Sequence, residues 1–149
     1  MKARYLLLPL LLAACGSPEA TVTDPETGAT AKVALPGVTG IAAPADLPAF
    51  APLMPGATVQ SAIRGGEGEA RGLVSFTVKS DAAAVISFYR GKGEAAGLRQ
   101  MAEAASGDGR MLAMGRESSQ DAAMQVTVTP FEEDGTVMVA LVYDAGSGQ

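Results

Sequence analysis

The sequence predicts an α+β domain in which one helix packs on an antiparallel sheet of about four to six strands, in the order β-β-α-β-β-β-β. Three observations predict it. Only Ala82 to Ala96 carries a helical apolar stripe bounded by a capping residue and a terminating glycine. Around it, short runs alternate apolar and polar residues with the period of two that a half-buried strand requires. Glycine-bearing turns separate those runs, as antiparallel neighbours need. A domain of about 100 residues can sustain a core of its own, and the 149-residue chain holds one such unit plus accessories.

The folded part is expected over residues 46–144. Leu47 to Ala57 is apolar and punctuated by Pro48, Pro52 and Pro55, so it reads as an extended segment laid on the core. Thr58 to Ile63 is a short strand, and Arg64 to Gly72 a loop containing Gly65-Gly66-Glu67-Gly68-Glu69. Leu73 to Lys79 places Val74, Phe76 and Val78 on one face against Ser75, Thr77 and Lys79 on the other. Ser80 is the expected N-cap, and Asp81 suits the positive end of the helix. The helical stripe runs Ala82, Val85, Ile86, Phe88, Tyr89 and Ala96, with Gly97 as the left-handed residue that ends it. Gly91 and Gly93 each cost the helix about 1 kcal/mol relative to Ala. They mark a close approach of the backbone to something else, or soft final turns.

Strands follow at Leu98–Glu103 and Arg110–Arg116, joined by Ser106-Gly107-Asp108-Gly109. Ala123 to Thr129 turns Met124, Val126 and Val128 to one side, and an acidic turn, Glu132-Glu133-Asp134-Gly135, leads to the last strand. Thr136 to Tyr143 is apolar at nearly every position, the mark of a central strand with both faces at least partly covered. One helix covers only one face. The other is open to the N-terminal segment or a partner.

Charge and composition exclude several functions. There are 11 Lys+Arg against 16 Asp+Glu, no His and one cysteine. The acidic balance argues against nucleic acid and anionic lipid head groups, whose binding rests on basic side chains. The absence of His removes the commonest general base and transition-metal ligand. A single cysteine makes an internal disulfide impossible.

At the N-terminus, Lys2 and Arg4 precede the apolar run Tyr5 to Ala14, ten residues interrupted by Pro9. A membrane span needs about 20 apolar residues, so the run reads as a signal peptide. Its end, Leu12-Ala13-Ala14-Cys15, resembles the lipobox of bacterial lipoproteins. The resemblance implies cleavage between Ala14 and Cys15, a diacylglyceryl thioether on Cys15 and, commonly, a further acyl chain such as palmitate on its new amino group. Two or more chains hold stably where one holds marginally. Gly16, in place of the Asp that retains such proteins in the inner membrane, points to the periplasmic face of the outer membrane. On this reading residues 1–14 are the signal peptide. Residues 15–45 are the lipidated cysteine with a flexible Ala/Thr/Pro/Gly tether, and residues 145–149 a disordered tail. Loss of Lys2 and Arg4 leaves nine basic residues, a mature charge of about −7. A coil of about 30 residues spans roughly 30 Å on average. The sparse apolar series Val33, Leu35, Val38 and Ile41 offers a competing reading of part of this tether as a strand added to the domain.

A second resemblance rests on Met54-Pro55-Gly56-Ala57, Ser75 to Asp81, Phe88-Tyr89-Arg90 and Ala95-Ala96-Gly97-Leu98. These resemble a pattern in uncharacterised bacterial envelope proteins, in which a Tyr-Pro-Gly-Ala opening precedes a strand and the helix carries Phe-Tyr and ends in Ala-Gly. The likeness spans about residues 52–100. Met54 replaces the Tyr, and Gly93 stands where a Leu is usual.

Isolated chemical motifs have structural readings. Lys79-Ser80 is a strand end and a cap rather than a nucleophile pair, and the Glu132-Glu133-Asp134 run a solvated hairpin tip rather than a Ca²⁺ loop. The glycine loop at 65–69 carries carboxylates and is followed by no helix, unlike a phosphate cradle. Met111 and Met114 are three apart on a strand and face opposite sides, so they do not share a soft metal. A Tyr89–Arg90 recognition spot competes with burial of the Tyr89 ring in the core. No catalytic residue, cofactor or metal site is assigned. The chain is expected to be a non-catalytic envelope protein, held in a membrane through Cys15, that acts by contact with an envelope protein. The alternative is a small apolar-ligand-binding domain, with the ligand between helix and sheet. An enzyme with an unrecognised cleft comes third.

Overall fold

The computed structural model describes residues 19–66, 70–116 and 122–146. The elements are β1 (Glu19–Thr23), β2 (Thr30–Ala34), β3 (Thr58–Arg64), β4 (Arg71–Lys79), α1 (Ala82–Ala95), β5 (Arg99–Ser106), β6 (Gly109–Gly115), β7 (Ala123–Pro130) and β8 (Thr136–Asp144). One antiparallel sheet takes all eight strands in the order β1-β2-β3-β4-β8-β7-β6-β5. It is built from two four-stranded meanders, β1 to β4 and β5 to β8, joined along the nine-residue β4–β8 seam. The helix connects β4 to β5 and so links the meanders at their ends. This is the α+β arrangement of one helix on an antiparallel sheet, with eight strands rather than four to six.

The two extra strands are β1 and β2, inside the segment read as a flexible tether. Their sequence alternates with period two, Ala20 and Val22 opposite Thr21 and Thr23, but carries too few large apolar residues to be read as strands alone. An isolated hairpin of this kind is marginal in water. This one is held because β2 adds to the free edge of β3, pairing Ala31 with Ile63 and Val33 with Ser61. Its turn is fixed by the Asp24 carboxylate, which accepts the backbone N–H groups of Glu26 at 2.8 Å and Thr27 at 3.3 Å. Those bonds hold the Asp24 carboxyl below the usual carboxylate range. Of the apolar series, Val33 lies in β2, and Ile41 donates its N–H to the Val59 carbonyl at 2.8 Å while packing against the core. The signal peptide, Cys15 and residues 147–149 lie outside the described residues.

The helix cap also differs. Asp81, not Ser80, is the N-cap, and its carboxylate accepts the Ala84 N–H at 2.7 Å. Asp81 is in the extended conformation a cap requires, and the Ser80 hydroxyl instead reaches the Asp81 carbonyl. The C-terminus follows expectation. Gly97 has φ +77°, its N–H meets the Glu94 carbonyl, and the Leu98 N–H meets the Gly93 carbonyl, a Schellman ending with Leu98 buried.

The core lies on one face of the sheet, under two different covers. The helix packs over β6 and β7 with Val85, Ile86, Tyr89 and Gly93. The proline-punctuated segment adds Phe50 and Ala51, both buried, with Leu47, Leu53, Met54 and Ala57 packed beside them. The two covers are joined where the Tyr89 hydroxyl donates to the Pro52 carbonyl at 2.8 Å. Tyr89 is fully buried, and this burial pushes its hydroxyl pKa well above the ordinary tyrosine range.

Candidate functional site on the open face of the sheet

The opposite face of the sheet carries no helix among the described residues. Strand alternation sends Val74, Phe76 and Val78 to the covered side and Leu73, Ser75 and Thr77 to the open side. Following the pairing outward from Leu73 traces one row across the whole sheet: Val22, Ala31, Ile63, Leu73, Val142, Gln125, Ala113 and Ala102. A second row runs through Ala20, Val33, Ser61, Ser75, Ala140, Thr127, Met111 and Ala104. Neither row contains a charged residue. Val22, Val33, Ile63 and Val142, large apolar side chains left exposed, all belong to these rows, and Met101 stands at the β5 bulge beside them. Large exposed apolar residues gathered on one surface mark an interaction site, whereas scattered ones need no explanation.

Shallow grooves formed by described residues open on this face. The first, about 720 Å³, has Ile63, Leu73 and Val142 as its apolar floor and Arg64, Arg71 and Asp144 at its rim. The second, about 370 Å³, shares Val142 and runs past Gln125 and Ala113 to Met101. The third, about 320 Å³, lies over Ala104, Met111 and Thr127. One wall of the first groove is the β1–β2 turn, at Thr27 and Ala29. That wall depends on Gly66, because a Cβ there would sit 2.1 Å from the Thr27 carbonyl oxygen. Gly66 therefore admits the turn against it.

At the charged end of this groove, Arg64 pairs with Asp46, which ties the proline-punctuated segment to β3. Tyr143 lies beside them, and a Cβ on Gly72 would meet its hydroxyl oxygen at 2.7 Å. Burial raises the Tyr143 hydroxyl pKa, the Asp46 carboxylate adds to that, and the Arg64 guanidinium opposes it.

The space between helix and sheet, expected as the place for an apolar ligand, is closed at Gly93. A Cβ there would lie 2.5 Å from Met114 Sδ and 2.9 Å from Met124 Cε. The two methionines occupy the volume that a larger helix residue would take. Gly91, two residues earlier, has nothing within 4 Å of a built Cβ and faces outward. Met111 and Met114 lie on opposite faces of β6. Arg90 is bonded to Gln100 at 3.2 Å and Glu103 at 2.6 Å, so it fastens the helix to the outermost strand, and its neighbour Tyr89 is in the core. In the acidic turn, the Asp134 carboxylate accepts the Thr136 N–H at 3.0 Å and pairs with Lys79 at 3.6 Å, contacts that lower its pKa. Among the described residues no group of three or more Cys, Asp or Glu side chains is arranged to hold a metal ion, and no helix is long and apolar enough to cross a membrane.

A family model described as START domain-like matches residues 59–136, more than half of the chain and the stretch from β3 to the start of β8. The chain belongs to the START domain-like family. The β1–β2 hairpin precedes the part of the domain that the family model covers. No curated protein and no solved structure matches the chain. Membership of a START domain-like family is compatible with binding of a small apolar ligand, the function the sequence placed second.

The open face was partly legible. The apolar run Thr136 to Tyr143 announced a strand with two apolar sides and one helix to cover them. The groove was not, because its floor is assembled from β3, β4 and β8, and its wall from a hairpin that only the edge of β3 holds in place.

Proposed function

We propose that the chain is a non-catalytic, lipid-anchored envelope protein whose START domain-like domain binds an apolar or amphiphilic small molecule on the open face of its sheet. The observation that carries this reading is the uncharged row through Ile63, Leu73 and Val142, which forms the floor of a groove with Arg64 and Arg71 at one end. An apolar floor with a few polar groups at its edge is the usual build of a ligand site, and the volume falls in the usual range. The sequence alone favoured contact with an envelope protein. Family membership now favours the small ligand, while the shallow, open form of the grooves keeps protein contact as the second reading.

The anchor belongs to the same proposal. Cys15 carries the lipid, cleavage falls between Ala14 and Cys15, and the mature protein sits at the periplasmic face of the outer membrane. Cys15→Ser is expected to abolish palmitate labelling and leave the precursor uncleaved. Normal labelling of that variant would refute the anchor.

For the ligand, the probe is a fluorescent long-chain fatty acid titrated into the full chain. Ile63→Glu and Val142→Glu place a carboxylate on the groove floor at exposed positions, and each is expected to weaken binding tenfold or more. Undiminished binding in both variants would exclude the groove. Failure of the unaltered chain to bind the probe, together with recovery of one stoichiometric envelope protein by crosslinking, would establish the second reading instead.

A further inference from the structure

The hairpin β1–β2 has its polar and apolar sides reversed relative to a surface hairpin. Glu19, Thr21, Thr23, Thr30 and Lys32 point to the side of the sheet that holds the core, where Lys32 and Glu19 pair at 2.8 Å. Ala20, Val22, Ala31 and Val33 point to the open side, with Val22 69% and Val33 49% exposed. The hairpin thus extends the apolar open face outward rather than closing it. It also begins at Glu19, four residues after Cys15. Four residues reach at most about 14 Å when fully extended. A lipid on Cys15 therefore holds this edge of the sheet at the bilayer surface, closer than a flexible coil running to residue 45 would.

We infer that the apolar side of the β1–β2 hairpin, together with Ile63 of β3, rests on the lipid bilayer, so that the groove opens toward the membrane. The inference rests on lipidation of Cys15 as proposed above. It follows from two independent observations, the short reach from the anchor and the apolar side the hairpin presents. Contact of this kind involves no charged residue of the two rows, so it calls for zwitterionic lipid and is insensitive to salt. An apolar ligand leaving the bilayer would then enter the groove past Val22 and Ala31 without crossing water.

The test uses the processed full chain in phosphatidylcholine vesicles containing nitroxide-labelled lipid. Lipidated Cys15 has no free thiol, so a cysteine introduced elsewhere is the only site for a fluorophore. Val22→Cys and Thr21→Cys are adjacent and equally near the anchor but face opposite sides of the sheet. Glu94→Cys, on the exposed side of the helix, reports the far side. Mass spectrometry of each sample first records whether Cys15 carries lipid. With lipid present, quenching several-fold stronger at position 22 than at positions 21 and 94 supports the contact. With lipid present, equal quenching at 21 and 22 overturns the contact and leaves the anchor standing. Self-quenching at position 22 that grows with protein density, without lipid quenching, overturns it in favour of a second copy of the chain. Unlipidated Cys15 overturns both the anchor and the inference.

Discussion

On β8 the two faces of the sheet can be compared within one strand. Val137, Val139, Leu141 and Tyr143 are buried in the core, while Met138, Ala140 and Val142 alternate with them on the other side. Both sets are apolar, yet only the first has a cover within the described chain. Burial requires partners from elsewhere in the chain, and the described residues cover only one side. A contiguous apolar surface left exposed in this way is the kind that marks an interaction site.

Neighbouring substitutions break this comparison most directly. Leu141→Ala empties a fully buried site, and such changes cost about 2–5 kcal/mol. Val142→Ala, one residue on and 43% exposed, is expected to cost no more than about 0.5 kcal/mol, as surface changes do. Urea denaturation midpoints check both. Equal losses would mean that the open face is covered in the folded protein. Gly93→Leu sharpens the other side of the comparison. It restores the residue usual in the envelope-protein pattern, but it must displace Met114 and Met124 from the core, and overpacking of this kind costs about 1–3 kcal/mol. Repeating it with Met114→Ala is expected to recover part of the loss, measured in the same way.

Tyr89→Phe removes the hydrogen bond that joins the two covers, worth about 0.5–1.5 kcal/mol. It also changes the response to alkali. The hydroxyl pKa is raised in the folded state, so the stability contributed by neutral Tyr89 is complete below the unfolded value near pH 10. It declines as pH rises above that value, because only the unfolded chain then loses the proton. Thermal melts at pH 8 and pH 11 are expected to converge for Tyr89→Phe relative to the unaltered chain. One further effect has the opposite sign. Gly91→Ala adds a methyl group in open space on the helix and is expected to stabilise by up to about 1 kcal/mol.

The elements read correctly from sequence share a property, namely that their determinants are local. The helix ends at Gly97 because only the left-handed conformation completes its last turn, and Val74, Phe76 and Val78 alternate plainly within one strand. Features that escaped depend on residues distant in sequence. Ala20 and Val22 become a strand only because β2 finds the edge of β3. Capping passed from Ser80 to Asp81 because both residue types cap well, and which one reaches Ala84 depends on how β4 delivers the chain to the helix. Gly93 carried a legible signal of close approach, but its neighbours, Met114 and Met124, come from two other strands. The groove was illegible for the same reason.

The seam between the meanders also governs the order in which the fold can be completed. Arg71 of β4 pairs with Asp144 of β8, at the far end of the described chain, so half of the sheet keeps an unsatisfied edge until the last strand arrives. Bringing such distant segments together carries a loop-closure cost and slows folding.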